Sequence, residues 1–166
     1  MDDRSAVELQ LGRPPRAFRR VAVRCPSGWP AVTEQHPYDE AGEPFPTTYY
    51  LTCPQAVAAV ARLEAAGGVE RWSRAAADDP ELAEAVARAH SAQRRLRREL
   101  AAGRTGPDGG RSLELGVGGG GRGAGLKCLH AHVAWALARP PYLLGDRVLE
   151  ELDSLWPATC CLAGRG

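Results

Sequence analysis

The hydrophobic pattern of the chain changes period at Pro54. Before it, VAVRCPSGWPAV (21–32) alternates weakly on either side of Pro26-Ser27-Gly28 and predicts a strand, a turn and a second strand. TTYYLTC (47–53) is the clearest strand, because Thr and Tyr suit a half-buried pleated surface. TEQHPYDEAGEPFP, between them, is acidic and proline-rich and reads as a loop.

From Pro54 onward the period is helical. CPQAVAAVARLEAAGG has proline where a first turn tolerates it and Gly67 where a helix stops; Val57, Val60, Ala61 and Glu64 share a face. DDPELAEAVARAHSAQRRLRRELAAG predicts the longest helix. Asp79 can cap it, Pro80 opens it, and Leu82, Val86, Ala89, Gln93, Leu96 and Leu100 form its stripe. GRTGPDGGRS reads as a linker. LELGVGGGG begins like a strand and runs into glycine, and LKCLHAHVAWALA predicts a helix that carries Cys128, His130 and His132. RVLEELDSLW predicts a last short helix. Residues 1–19 are polar and basic and predict a flexible N-terminal segment, and residues 159–166 a loose tail. The sum is an α+β fold: one domain over 20–158, with a small β element (20–53) packed against about four helices.

Composition tightens this picture. The 166 residues are 44% hydrophobic, but 28 are Ala, none is Ile and two are Phe. Small side chains bury little apolar area, so Leu, Val and the four Trp carry the core and a cross-link would help it. A net charge of +1 argues against nucleic acid as the partner of the whole molecule. No apolar run is long enough to span a membrane, and the acidic start lacks a secretory core, so a cytoplasmic setting with reduced thiols is expected.

The glycine tract raises the question of an anion loop. Gly116–Gly121 formally fits G-x-G-x-x-G, a pattern that any glycine run matches, and the required second strand is missing. As a Walker loop it fails because Leu126 precedes Lys127 and Cys128 replaces the Mg²⁺-binding hydroxyl. A flexible loop is the stronger expectation. If an anion does bind there, Gly118, Gly121 and Lys127 are the candidates.

The cysteines and histidines carry more chemistry. Cys25 precedes Pro26 at a turn, Cys53 precedes Pro54 at a helix N-cap, and Cys128 opens a helix; Cys160 and Cys161 lie near the C-terminus. Helix N-termini favour the thiolate, the form that ligates metal or attacks an electrophile. Cys128 and His132 are spaced i, i+4, as a chelating pair on one helical face would be. His130 falls among leucines and reads as a core histidine donating to a carbonyl. The leading expectation is a regulatory or redox metal site. Cys25, Cys53 and Cys128 would be its ligands, completed by His130, His132 or Cys160, around zinc or an iron–sulfur cluster. Against it stands the common role of free cysteine as a small buried hydrophobe. A second expectation is an enzyme with Cys128 as nucleophile and a nearby histidine as base. A third is an interaction module in which Arg94, Arg95, Arg97 and Arg98 dock a helical or acidic protein partner; a solvated charged face is the plainer reading of those arginines.

The blocks QLGRPPR, VAVRCPSGWPAV, EPFPTTYYLTCP, AVARLEAAGGV, ELAEAVARAH and LKCLHAHVAWALA occur in this order. Together they resemble a bacterial uncharacterised family, domain of unknown function five hundred and one, over about residues 9 to 150. The resemblance implies a small cytoplasmic domain with no established activity. It maps the family's motif cysteines onto Cys25, Cys53 and Cys128, and its motif histidine onto His130. RPPYLLGD departs from the family's Asn-Pro turn, and the glycine tract is longer.

Overall fold

In a computed structural model, which describes residues 1–121, 125–153, 155, 156, 158 and 160, the β hairpin forms where the alternation places it. Strands β1 (Phe18–Arg24), β2 (Pro30–Gln35) and β3 (Tyr49–Leu51) make one antiparallel sheet in that order. The β1–β2 turn is closed by Cys25 N–H to Trp29 O at 2.9 Å and Gly28 N–H to Cys25 O at 2.8 Å. Gly28 has φ +84°, which a residue with a side chain adopts only under strain. β2 is central, and all six of its residues are buried.

A buried strand that carries Glu34 needs a counter-charge. Arg19 and Arg20 from β1 supply it, at 2.6 and 2.8 Å, and the Tyr49 hydroxyl donates to the same carboxylate at 3.0 Å. Burial alone would raise the Glu34 pKa. The bonds from Arg20 and Tyr49 and the charges of Arg20 and Arg19 outweigh it and hold the carboxyl below its ordinary value.

Six α-helices lie among the described residues: α1 (Asp3–Leu11), α2 (Pro54–Ala65), α3 (Gly68–Asp78), α4 (Pro80–Ala101), α5 (His130–Ala138) and α6 (Leu143–Glu151). The fold is thus α+β, a small sheet near the N-terminus with helices packed on it. α4 begins as its sequence dictates: Asp79 accepts the Glu81 amide at 2.9 Å, with Pro80 in the first turn. α5 is the central helix. Six of its nine residues are buried, and it packs against β3, α6 and the turn at Val117–Gly119.

The structure departs from the sequence pattern in three places. Residues 3–11, within the segment expected to be flexible, form α1, capped by Asp2 on the Ser5 amide at 2.9 Å. GVERWSRAAAD, to which no element was assigned, forms α3. LELG is not a strand: Arg111–Glu114 is a single 3-10 turn, and a second 3-10 turn covers Val117–Gly119. The linker before it is tied down by Asp108, which accepts the Ser112 and Gly110 amides at 2.8 and 3.1 Å and the Tyr38 hydroxyl at 2.9 Å. No helix among the described residues is long and apolar enough to cross a membrane.

Candidate functional site

A cleft of about 850 Å³ opens where β3 and the N-terminal end of α5 meet. That volume lies in the range of small-molecule sites. Tyr50 and Thr52 line one side, Val57 of α2 another, and Gly118, Lys127, Cys128 and His130 a third; Gln10 and Leu11 close it from α1. The two most distinctive sequence blocks, PFPTTYYLTCP and KCLHAHVA, therefore face each other across one space.

Each wall is held by a specific polar contact. Glu64, at the end of α2, accepts the Leu129 amide at 2.7 Å, and its other carboxylate oxygen lies 3.0 Å from His130 Nδ1. His130 Nε2 lies 3.3 Å from the Val57 carbonyl. The opposite wall, Phe45–Thr48, is clamped by Arg97. This side chain is 0% exposed and donates to the carbonyls of Phe45, Pro46 and Ser112 and to Thr48 Oγ1, at 2.9, 3.3, 3.0 and 3.2 Å. Burial lowers its pKa to about 10, partly offset by the nearby Tyr38 and Asp108, so it remains a cation at neutral pH.

Beneath the cleft floor lies a buried polar cluster. His90 of α4 accepts the Val117 amide on Nδ1 at 2.9 Å. The glycine tract closes around that ring. A Cβ on Gly116 would lie 2.3 Å from His90 Nδ1, and one on Gly120 would lie 2.7 Å from its Cε1. The tract is thus a fitted collar for an imidazole rather than the flexible loop its composition predicts. His132 lies beyond, with ring centroids 6.3 Å apart. Its Nδ1 is 2.6 Å from the Tyr142 hydroxyl, while its buried Nε2 has no hydrogen-bond partner among the described residues. Burial first, and then the charge of His90, lowers the His132 pKa to about 3. Burial raises that of Tyr142.

The structure brings some of the predicted residues together and leaves others apart. Cys128, His130, Lys127 and Gly118 share the cleft; Gly121 is exposed and is not among its lining residues. Cys53 is the α2 N-cap, 1% exposed, and Cys25 is a half-buried free thiol packed against the core. Cys128 precedes the helix rather than opening it, since α5 starts at His130, so the i, i+4 argument does not apply on a helical face. Among the described residues, which include Cys25, Cys53, Cys128, His130, His132 and Cys160, no group of three or more His, Cys, Asp or Glu side chains could hold a metal ion. Cys161 lies outside the described residues.

The four arginines do not form one docking face. Arg97 is internal; Arg98 pairs with Glu114 at 2.6 Å, and Arg94 donates to the Glu114 carbonyl at 2.8 Å. Arg95 is the exposed member without such a bond among the described contacts. His90, Tyr142 and Glu64 were not predicted as site residues. Two of them left a signal: His90 falls on the buried α4 face with Val86, Gln93 and Arg97 at helical spacing, and Glu64 shares the α2 face of Val57 and Val60.

The family model described as "Protein of unknown function (DUF501)" matches residues 21–150. The chain belongs to the DUF501 family. No curated protein and no solved structure matches it. The matched span runs from within β1 to the penultimate residue of α6 and includes nearly all of the cleft; of its lining residues only Gln10 and Leu11 lie before it. The DUF501 match therefore covers the site as well as the fold, and carries no activity with it.

Proposed function

We propose that this DUF501 chain binds a small molecule that joins an apolar body to an anionic group, in the cleft between β3 and the start of α5. One observation carries the reading. The lining is mostly apolar, it includes Lys127 and His130, and among the described residues it includes no carboxylate. His130 already lies 3.0 Å from Glu64, and Lys127 is the exposed cation among the described lining residues. Desolvating an apolar body supplies affinity, and a charge-assisted hydrogen bond supplies orientation.

Of the readings that the sequence raised, this one keeps the anion-binding residues Gly118 and Lys127 and sets the Cys128 thiol beside them. The docking reading loses Arg97 to the interior, and the metal reading lacks a three-donor group among the described residues.

Calorimetry with 1-naphthoate and its neutral counterpart 1-naphthamide tests the reading. The carboxylate is expected to bind roughly tenfold more tightly, and Lys127→Ala to remove most of that difference, about 1.4 kcal/mol. Equal binding of both probes, insensitive to Lys127, would contradict it.

A further inference from the structure

Cys128 is a half-buried free thiol on the cleft wall, and on the other side of the Gly118 gap is His132, whose Nε2 has no hydrogen-bond partner among the described residues. His132 is 1% exposed. A buried imidazole nitrogen without a partner costs stability, so its retention calls for a reason. Gly118 shows where that nitrogen faces. A Cβ built on Gly118 would stand 3.7 Å from Cys128 Sγ and 3.8 Å from His132 Nε2. Both atoms thus border the space left by the missing side chain, and Gly118 itself lines the cleft. The other ring nitrogen is fixed by the Tyr142 hydroxyl, and the rings of His132 and Tyr142 stack with centroids 5.9 Å apart. A nucleophile, a base and a group that orients the base are the parts of a thiol–imidazole catalytic pair.

We propose that Cys128 is a nucleophile that accepts an acyl group from an ester or thioester bound in the cleft, with His132 as its base and Tyr142 as a positioning residue. The substrate class rests on the cleft reading above: an acyl donor with an apolar acyl chain. Sγ attacks the carbonyl carbon, and its proton passes to His132 Nε2. The carbon–sulfur bond forms as the bond to the leaving alcohol or thiol breaks, and the leaving group takes the proton from Nε2. The product is an S-acyl Cys128 and a free alcohol or thiol. Water can then hydrolyse the thioester to a carboxylic acid and restore the thiol. No oxidant, reductant or metal enters the balance.

The test uses the full chain with 4-nitrophenyl butyrate, reading released nitrophenolate and the butyryl adduct by peptide mass spectrometry. The expected result is a burst of one nitrophenolate per chain, with the adduct on Cys128. Cys128→Ala abolishes the burst. His132→Gln slows it by about 100-fold, the ordinary scale of a positioned base. Gly118→Ala, whose methyl group would stand 3.7 Å from Sγ and 3.8 Å from Nε2, crowds both atoms, slows it at least about tenfold and serves if His132→Gln fails to fold. Tyr142→Phe keeps the ring stack, slows acylation and moves the pH–rate profile of acylation, which a purely structural hydroxyl would leave in place. Acylation of Cys25 at the rate of Cys128, or a Cys128 rate indifferent to both His132→Gln and Gly118→Ala, would overturn the pair. Naphthoate binding to Cys128→Ala separates the two proposals. If it persists while acylation is absent in the wild type, the cleft stands and the chemistry falls; if acylation is present and naphthoate does not bind, the reverse holds.

Discussion

The Val117 amide donates to His90 Nδ1 across 2.9 Å, and that bond explains the glycine tract. Gly116 and Gly120 flank the ring so closely that neither has room for a methyl group, whereas a Cβ on Gly121 would meet nothing within 4 Å. Gly116→Ala is expected to cost about 2 kcal/mol, the usual scale of overpacking, while Gly121→Ala stays within about 0.5 kcal/mol. Urea denaturation of the two variants checks this. Equal stabilities would mean that the collar is not formed.

Arg97 gives a second contrast within one run of arginines. Its guanidinium is spread over three carbonyls and a hydroxyl, and lysine cannot reproduce that fork. Arg97→Lys is expected to lose about 3 kcal/mol, since several buried acceptors lose charged donors at once. Arg95→Ala, at an exposed position, should change stability by less than about 0.5 kcal/mol. Thermal and urea melts of the pair decide it; an Arg97→Lys protein as stable as Arg95→Ala would remove the clamp.

The contrast also marks what the sequence could reveal. Strand, turn and strand around Pro26, and the helices that open at Pro54 and Pro80, were legible because period and end signals agree. On α4 the apolar letters pointed to Leu96 and Leu100, but the helical period carries the buried face through Gln93, Arg97 and Ala101. Period outweighed side-chain chemistry because Arg97 finds acceptors in distant segments. α1 was not legible: only Ala6 and Val7 are buried, too few for a stripe. The collar was hidden for another reason. Its partner, His90, lies on a different element, and nothing local distinguishes a fitted glycine from a flexible one. The pairing of Cys128 with His132 was suggested by spacing, yet the two atoms converge on Gly118 by way of the loop rather than along a helix face.

Stability should fall with acid before any carboxylate titrates. His132 and His90 both have folded pKa values below the ordinary value near 6.5, with His132 at about 3. The unfolded chain therefore binds protons that the folded chain refuses. Full stability is present above about pH 6.5, and each of these histidines removes up to about 1.4 kcal/mol per pH unit as pH falls from there, for His132 down to about pH 3. The lowered pKa of Glu34 adds its loss only further into acid. Urea midpoints between pH 7 and pH 5 give the slope, and His132→Gln should flatten it. An unchanged slope would indicate that His132 is solvated and titrates normally.

The cleft itself is tested most directly by amide chemical shifts as 1-naphthoate is added to the ¹⁵N-labelled protein. Binding at the proposed site should move Thr52, Gly118, Cys128 and His130 together, with a single saturation curve. Shifts confined instead to the smaller cavity of about 260 Å³ beside Arg88 and Arg139, or scattered without saturation, would contradict the assignment of this cleft as the functional site.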